Sequence, residues 1–154
     1  NIWSIDTMGQ INWKWKWDAN EVVTTNVLRV KEARNGDLFV MGEVAAPMLF
    51  DGDTRNTAFV MRLSADGDMI WRRFLKIEDD YPLLINYVTD LVELDNGDLQ
   101  LTGQSRRKVI ADSPDGYRPD QDILWARIGG DGCINDDSGN SVCEQTVFVP
   151  LLLT

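Results

Sequence analysis

The sequence contains no histidine and only two cysteines among its 154 residues. Without histidine, the chain cannot form a Ser-His-Asp or Cys-His catalytic arrangement or a histidine-based metal centre. No third cysteine is available to complete a zinc site with the two thiols. A glycine-rich phosphate-binding loop is also missing, because the glycines fall in turn-like contexts. These absences exclude the most easily recognised classes of catalytic site.

Long apolar runs and an excess of positive charge are missing as well. The longest nearly unbroken apolar run covers residues 147–153, far short of the roughly 20 residues that a membrane helix needs. Acidic residues outnumber basic ones by 25 to 15, and the net charge is −10. Because phosphate binding needs a basic face, we expect no nucleic-acid partner, and anionic membrane surfaces are disfavoured. We also expect no membrane span.

Cys133 and Cys143 lie ten positions apart in a loop-like stretch. A disulfide between them is the better interpretation. Closing so short a loop contributes on the order of 2.5–3 kcal/mol in the chain-entropy model. A disulfide implies an oxidising compartment, so we expect an extracellular or cell-surface location. The alternative is a pair of free thiols in a cytosolic protein.

Internal repetition is the strongest signal in the sequence. One motif consists of Asn-Gly-Asp-Leu, three residues, and Gly with an acid or amide, and it covers residues 35–43 and 96–104. A second motif consists of an apolar strand, a Gly turn and a strand with Trp four residues after the Gly. Its copies begin at residues 2, 59 and 123, and the last copy lacks the Trp strand. Both motifs recur after roughly 60 residues, the period of a repeat architecture.

Each motif predicts a β-hairpin, because Asn-Gly and Asp-Gly between apolar runs supply the glycine that tight turns require. No stretch has a convincing helical period. Two hairpins per repeat give four antiparallel strands, the unit of a β-propeller blade. We therefore predict an all-β fold made of antiparallel four-stranded blades of a β-propeller, incomplete at about two and a half blades. With strands labelled A to D, the chain is C-D, then A-B-C-D, then A-B-C.

The predicted blades divide the chain at residues 20 and 77. Residues 1–20 are the end of a blade, and residues 21–77 form a second blade. Residues 78–154 form the last blade, in which a disulfide loop is followed by a replacement outer strand at residues 146–153. Propellers have 4–8 blades, so we expect the remaining blades to come from the same or another chain. Upstream sequence is the favoured source.

The alternation of the Asn-Gly-Asp-Leu motif with residues 62–71, Arg-Leu-Ser-Ala-Asp-Gly-Asp-Met-Ile-Trp, resembles secreted bacterial propeller-repeat proteins. Such proteins are common among bacteria that use type IX secretion. The late Gly-Cys…Cys stretch with its apolar continuation is similar to the end of such a repeat region. The resemblance implies the C-terminal part of a secreted propeller. It says little about function, because propellers host many unrelated activities.

Trp13, Trp15 and Trp17 share one strand face, because side chains alternate along a strand. A row of indoles could stack on sugar rings or another planar ligand, and the alternative is packing between blades. Trp13 recurs as Trp71 in the next repeat, which favours packing at that position. Trp15 and Trp17 do not recur, so these two are the predicted ligand contacts.

An acidic loop is the candidate metal site. Asp51, Asp53 and Asn56 offer oxygen ligands that suit a hard cation such as Ca²⁺. Arg55 lies where a third ligand would be wanted, and no Glu follows at the expected distance. A solvated turn is therefore the alternative, and no other cofactor is predicted.

These patterns favour a non-catalytic extracellular module that binds, displays or supports other molecules within a larger secreted or cell-surface propeller protein. Its partners would be a glycan or a surface protein. Two alternatives stay open. The chain could belong to a polysaccharide-active propeller enzyme with paired carboxylates, or it could be a self-assembling subunit of a surface oligomer or fibre.

Overall fold

The computed structural model describes residues 1–18, 24–45, 56–77, 83–109, 118–135, 141–143 and 146–149. These residues form β-strands and turns without any helix, so the predicted all-β class is confirmed for them. In chain order the described strands are β1 (Ile2–Ile5), β2 (Ile11–Trp15), β3 (Thr24–Glu32), β4 (Leu38–Ala45), β5 (Asn56–Leu63), β6 (Met69–Ile77), β7 (Leu83–Glu93), β8 (Leu99–Val109), β9 (Arg118–Ile128), β10 (Ile134–Asn135), β11 (Ser141–Val142) and β12 (Thr146–Val149).

The strands form three antiparallel units. The first unit is the hairpin β1–β2, the middle unit is the meander β3–β4–β5–β6, and the last unit is β7–β8–β9. This succession of two, four and three strands is the one that the repeated motifs predict. Among the described residues, one parallel bridge, between Asn56 and Ile85, pairs a strand of the middle unit with a strand of the last unit. The strands β10 and β11 form a separate small hairpin.

The middle and last units share one irregularity in their first strand pair. In each unit one extra residue, Leu28 or Thr89, bulges from the first strand beside the partner of a glycine, Gly42 or Gly103. A Cβ on either glycine would lie 2.0 Å from a carbonyl oxygen of the facing strand. The Gly that ends the Asn-Gly-Asp-Leu motif is therefore required by close approach of two backbones.

Five hairpin turns share one geometry. The residue three positions before a glycine accepts a hydrogen bond from the glycine N–H and donates its own N–H to the carbonyl just after that glycine. This is a three-residue loop whose last residue is left-handed, a conformation that favours glycine. The glycine φ angles lie between 81° and 90°, at Gly9, Gly36, Gly67, Gly97 and Gly132.

The central strands of the middle unit, β4 and β5, are buried on both faces. One face packs against the first unit, in a cluster of Val40, Val44, Phe59, Met61, Leu63 and Phe74 with Ile2, Trp13, Trp15, Trp17 and Leu38. The other face packs against the last unit, in a cluster that includes Phe39, Met41, Ala58, Val60, Trp71, Leu75, Leu91, Leu101, Leu124, Ala126 and Ile128. The core therefore lies between units, as in a stack of repeats whose neighbours bury each other's faces.

The position of β12 differs from the sequence-based expectation. The expected outer strand of the last unit pairs instead with β6 of the middle unit, in parallel, with Thr146 opposite Phe74. That prediction was wrong because an apolar segment does not specify which strand edge it joins. As the last strand of its meander, β6 has a free edge, and a free edge accepts any strand that can reach it.

The predicted disulfide is confirmed, with an S–S distance of 2.06 Å between Cys133 and Cys143. It closes the segment that contains β10 and β11. Within the described ranges, the chain has no helix long and apolar enough to span a membrane.

Candidate interaction site between repeats

Trp71 on β6 joins the middle unit to the last one. Its indole Nε1 donates a hydrogen bond to the Gly130 carbonyl at 3.0 Å. The indole also covers Gly132 so closely that an added Cβ would lie 2.8 Å from the ring. Both glycines belong to the turn that follows β9, so the indole packs on this turn at a position, Gly132, where no side chain fits.

The same contact joins the first unit to the middle one. Trp13 donates its indole N–H to the Ala65 carbonyl at 2.8 Å, and a Cβ on Gly67 would lie 2.5 Å from the Trp13 ring. Ala65 precedes its turn glycine by two positions, as Gly130 does. We call this arrangement the turn clasp: a Trp covers the turn glycine of the next unit and donates to the carbonyl two residues before it.

Arg62 adds a charged group to the clasp between the middle and last units. Its Nε and Nη2 donate to one carboxylate oxygen of Asp37, each at 2.8 Å. Its Nη1 donates to the Gly130 carbonyl at 3.0 Å, so this carbonyl accepts from both Arg62 and Trp71. The Asn35 side-chain amide donates a 2.8 Å hydrogen bond to the same carboxylate oxygen of Asp37.

The charge state of Asp37 follows from these contacts. Burial raises the pKa of this carboxyl, but the hydrogen bonds from Asn35 and Arg62 and the charge of Arg62 outweigh burial. The pKa therefore lies below its ordinary value of 3.8. Asp37 is ionised at neutral pH and can hold the guanidinium that contacts the next unit.

The last unit repeats this ion pair, and among the described residues no further unit packs on its far side. Arg127 donates Nε and Nη2 to Asp98 at 2.9 and 2.7 Å, and Asn96 holds Asp98 at 2.8 Å. The hydrogen bonds from Asn96 and Arg127 lower the pKa of Asp98. The Arg127 side chain is 51% exposed, whereas that of Arg62 is 18% exposed. The last unit therefore carries the charged part of the clasp on an open face.

Further polar contacts join the middle and last units. Lys31 forms an ion pair with Asp90 at 2.9 Å, and its hydrogen bond lowers the pKa of Asp90. Arg34 pairs with Asp95 at 2.9 Å. Arg73 donates to the Gly132 carbonyl at 2.6 Å. Burial lowers the pKa of the Arg73 guanidinium, and the negative charge of Asp131 offsets part of this lowering.

The outward face of the last unit is apolar as well as charged. Ile123 is 66% exposed and Trp125 is 41% exposed. Counted back from the turn glycine, they correspond to Ala58 and Val60 of the middle unit, which are fully buried against the last unit. The exposed face of the last unit thus corresponds to the face by which the middle unit contacts the last unit.

The outward face of the first unit is the opposite surface of the repeat. Trp3 and Ile5 are 48% and 57% exposed. They occupy the positions of Ala126 and Ile128 in the last unit, which are buried against the middle unit. The Lys14 ammonium lies over the Trp3 ring, 4.6 Å from its centroid. The chain therefore presents both surfaces of the inter-unit contact, one at each end.

The two predicted ligand contacts, Trp15 and Trp17, are half-buried against the middle unit. Their rings meet edge to face with centroids 5.1 Å apart, and Trp17 lies edge-on to Phe59 at 5.2 Å. The Arg72 guanidinium lies over the Trp17 ring at 5.1 Å. Both indoles therefore pack between units, as the alternative interpretation expects. Ligand binding by these residues stays a prediction.

The predicted Ca²⁺ ligands are only partly placed. Asp51 and Asp53 lie outside the described residues, and Asn56 is the first residue of β5. Among the described residues there is no group of three acidic or cysteine side chains that could hold a metal ion. Ca²⁺ binding at this loop stays a prediction.

The residues that sequence reasoning missed are Asp37 with Arg62 and Asp98 with Arg127. A signal for them exists in the sequence. Each Asp is the third residue of an Asn-Gly-Asp-Leu motif, and each Arg stands five positions before a turn glycine. A recurring acid with a recurring base could have been recognised as a pair.

No protein-family model, curated protein or solved structure matches this chain.

Proposed function

We propose that the chain is a repeat module of a β-propeller-type extracellular scaffold that binds or displays partners and carries out no catalysis. The observation that supports it is the turn clasp, which occurs at both joins between units. At each join, a Trp at the equivalent repeat position donates to the carbonyl at the equivalent turn position. A contact reused at each join belongs to an architecture built by adding repeats. The four-stranded middle unit then corresponds to one complete blade.

The extracellular part of the proposal is supported by the Cys133–Cys143 disulfide. Disulfides persist in oxidising compartments and are rare in the cytosol. The likeness of the repeated motifs to secreted bacterial propeller-repeat proteins agrees with this location. Export by type IX secretion is part of the same proposal.

The non-catalytic part is supported by the charge states of the acidic residues at the joins. Asp37, Asp90 and Asp98 all have lowered pKa values and lie beside cations. A general acid needs a carboxyl whose pKa is raised towards the working pH. These carboxylates are suited to hold units together, which favours a scaffold over the polysaccharide-active alternative.

Duplication of one repeat tests the proposal. A variant in which residues 24–82 occur twice in tandem keeps the five residues that follow β6 before each next unit, and it gains one four-stranded unit and one more turn clasp. In a nearest-neighbour repeat protein, each added unit and join raises the free energy of unfolding. We therefore expect the duplicated chain to unfold at a higher urea concentration than the parent chain, with more β-sheet signal in circular dichroism.

A matched control carries the same duplication with Trp71→Ala in the added copy, which removes the new clasp and should cancel most of the gain. An added copy that is cut by protease while the rest stays intact would show that the unit is not a repeat module. Release of reducing ends from a polysaccharide panel by the parent chain would favour the enzyme instead.

A further inference from the structure

The two open faces of the chain are complementary by position. Within the chain, Ala58 and Val60 of the middle unit pack in one cluster with Ala126 and Ile128 of the last unit. The last unit exposes Ile123 and Trp125 at the positions of Ala58 and Val60. The first unit exposes Trp3 and Ile5 at the positions of Ala126 and Ile128. The two exposed faces therefore correspond to the two apolar sides of the contact between the middle and last units.

The polar half of the contact is also present at both ends. Arg127 is held by Asp98 as Arg62 is held by Asp37, so its guanidinium is already oriented. Arg62 uses this orientation to donate to the Gly130 carbonyl, two residues before a turn glycine. The corresponding carbonyl in the first unit is that of Thr7. Asp6 keeps this turn formed by accepting from the Met8 and Gln10 amides, each at 2.8 Å.

We propose that the open face of the last unit binds the first unit of a second copy of this chain, head to tail. This inference rests on the repeat docking of the proposed function and continues the interface between the middle and last units. Ile123 and Trp125 contact Trp3 and Ile5 of the second copy, and Arg127 donates to its Thr7 carbonyl. Because donor and acceptor surfaces differ, the contact is heterologous and each copy can bind one neighbour at each end.

The contact between copies is weaker than the joins inside the chain. The sequence has Asp136 at the position that corresponds to Trp71, so the indole part of the clasp is missing. An interaction between separate chains also loses translational and rotational freedom that a covalent neighbour does not lose. Association therefore depends on protein concentration.

Sedimentation velocity over a concentration series tests the proposal with three variants. Ile123→Glu blocks the last unit's face, and Ile5→Glu blocks the first unit's face, because each introduces a charge into the apolar contact. Ile70→Glu is the matched control, since Ile70 is 51% exposed on β6 of the middle unit and lies on neither open face. All three residues are exposed, so circular dichroism should show an unchanged β-sheet signal.

We expect the parent chain and Ile70→Glu to form dimers and larger species as the concentration rises. For each face variant alone, the association constant should fall at least about tenfold, as expected for loss of a central apolar contact. A mixture of Ile123→Glu and Ile5→Glu should form one-to-one dimers and nothing larger, because each partner supplies the one face that is intact.

Two results would overturn the proposal. One is a parent chain that stays monomeric at every concentration. The other is self-association that only one of the two face variants reduces, which would mean that like faces meet in a two-fold dimer. Neither result affects the repeat duplication experiment, which concerns joins inside the chain, so failure of this inference can be told apart from failure of the proposed function.

Discussion

Gly42 and Gly103 lie where two backbones approach too closely for any side chain. A Cβ on Gly42 would lie 2.0 Å from the Asn26 carbonyl oxygen, so β3 or β4 would have to shift along its whole hydrogen-bonded pair. We expect Gly42→Ala to lower the free energy of unfolding by about 3 kcal/mol, the upper end of the usual cost of overpacking. Urea denaturation followed by tryptophan fluorescence measures the change.

Gly36 provides the control, since its φ is 88° and an added Cβ there meets nothing within 4 Å. Gly36→Ala should cost only about 1 kcal/mol, from the left-handed backbone alone. Equal losses for the two variants would mean that the close approach at Gly42 is not what requires glycine.

The Asp37–Arg62 pair makes the stability of the chain depend on pH. Because the pKa of Asp37 is lowered below 3.8 in the folded chain, its contribution is fully present above the unfolded value. It is lost as the pH falls through the lowered native pKa. We expect Arg62→Met to reduce the free energy of unfolding at neutral pH, and the difference from the parent chain to shrink as the pH drops below 3.8.

Arg127→Met tests whether burial sets the size of this effect. Its partner Asp98 is more exposed than Asp37, so solvent screens the pair and the loss at neutral pH should be smaller. A difference between parent and Arg62→Met that stays constant from neutral to acid pH would rule out the ion pair as its origin.

At the scale of single elements, the turn clasp couples Trp71 and Arg62 through one carbonyl. Trp71→Phe keeps an aromatic ring over Gly132 but removes the N–H donor, and the Gly130 carbonyl still accepts from Arg62. We expect this substitution alone to cost about 1 kcal/mol, the usual net value of one hydrogen bond. Combined with Arg62→Met, the loss should exceed the sum of the single losses, because the carbonyl then loses both donors.

Thermal and urea unfolding of the four proteins complete this cycle. The pair Trp71→Phe with Lys31→Met serves as its control, since Lys31 donates to a different carbonyl, that of Leu91. Strictly additive losses for Trp71 and Arg62 would show that the shared acceptor does not couple them.

The hairpins themselves were predictable, because turn chemistry is local. Gly36 and Gly97 identify their turns through the neighbouring Asn and Asp, and the alternation of apolar residues identifies the flanking strands. The sequence also offered Trp13 and Trp71 as a recurring pair, which pointed to packing between repeats. It did not indicate which carbonyl each indole reaches, since Ala65 and Gly130 are more than 50 residues away in the chain.

At the scale of the whole molecule, the middle unit should be the most stable part. Its strands β4 and β5 are buried on both faces, whereas β1 and β2 are covered on one face and exposed on the other. Local opening is easier where fewer apolar contacts must break. We expect amide hydrogen exchange to be slowest in β4 and β5, intermediate in β8 and fastest in β1 and β2.

Hydrogen exchange with mass spectrometry at neutral pH measures this order. Uniform protection of all three units would mean that the chain unfolds as one cooperative block, in which the joins are as strong as the units. Equal protection of β1 and β5 would mean that the first unit unfolds together with the middle unit.

The sequence by itself determined the all-β class, the succession of two, four and three strands, and the disulfide between Cys133 and Cys143. Each of these depends on residues that are close in the chain or on a pattern that repeats along it. Only the tertiary structure decided that Arg62 contacts Gly130, that β12 joins β6, and that Trp3 and Trp125 remain exposed at opposite ends. These contacts depend on which surfaces meet in space, and local sequence does not contain that information.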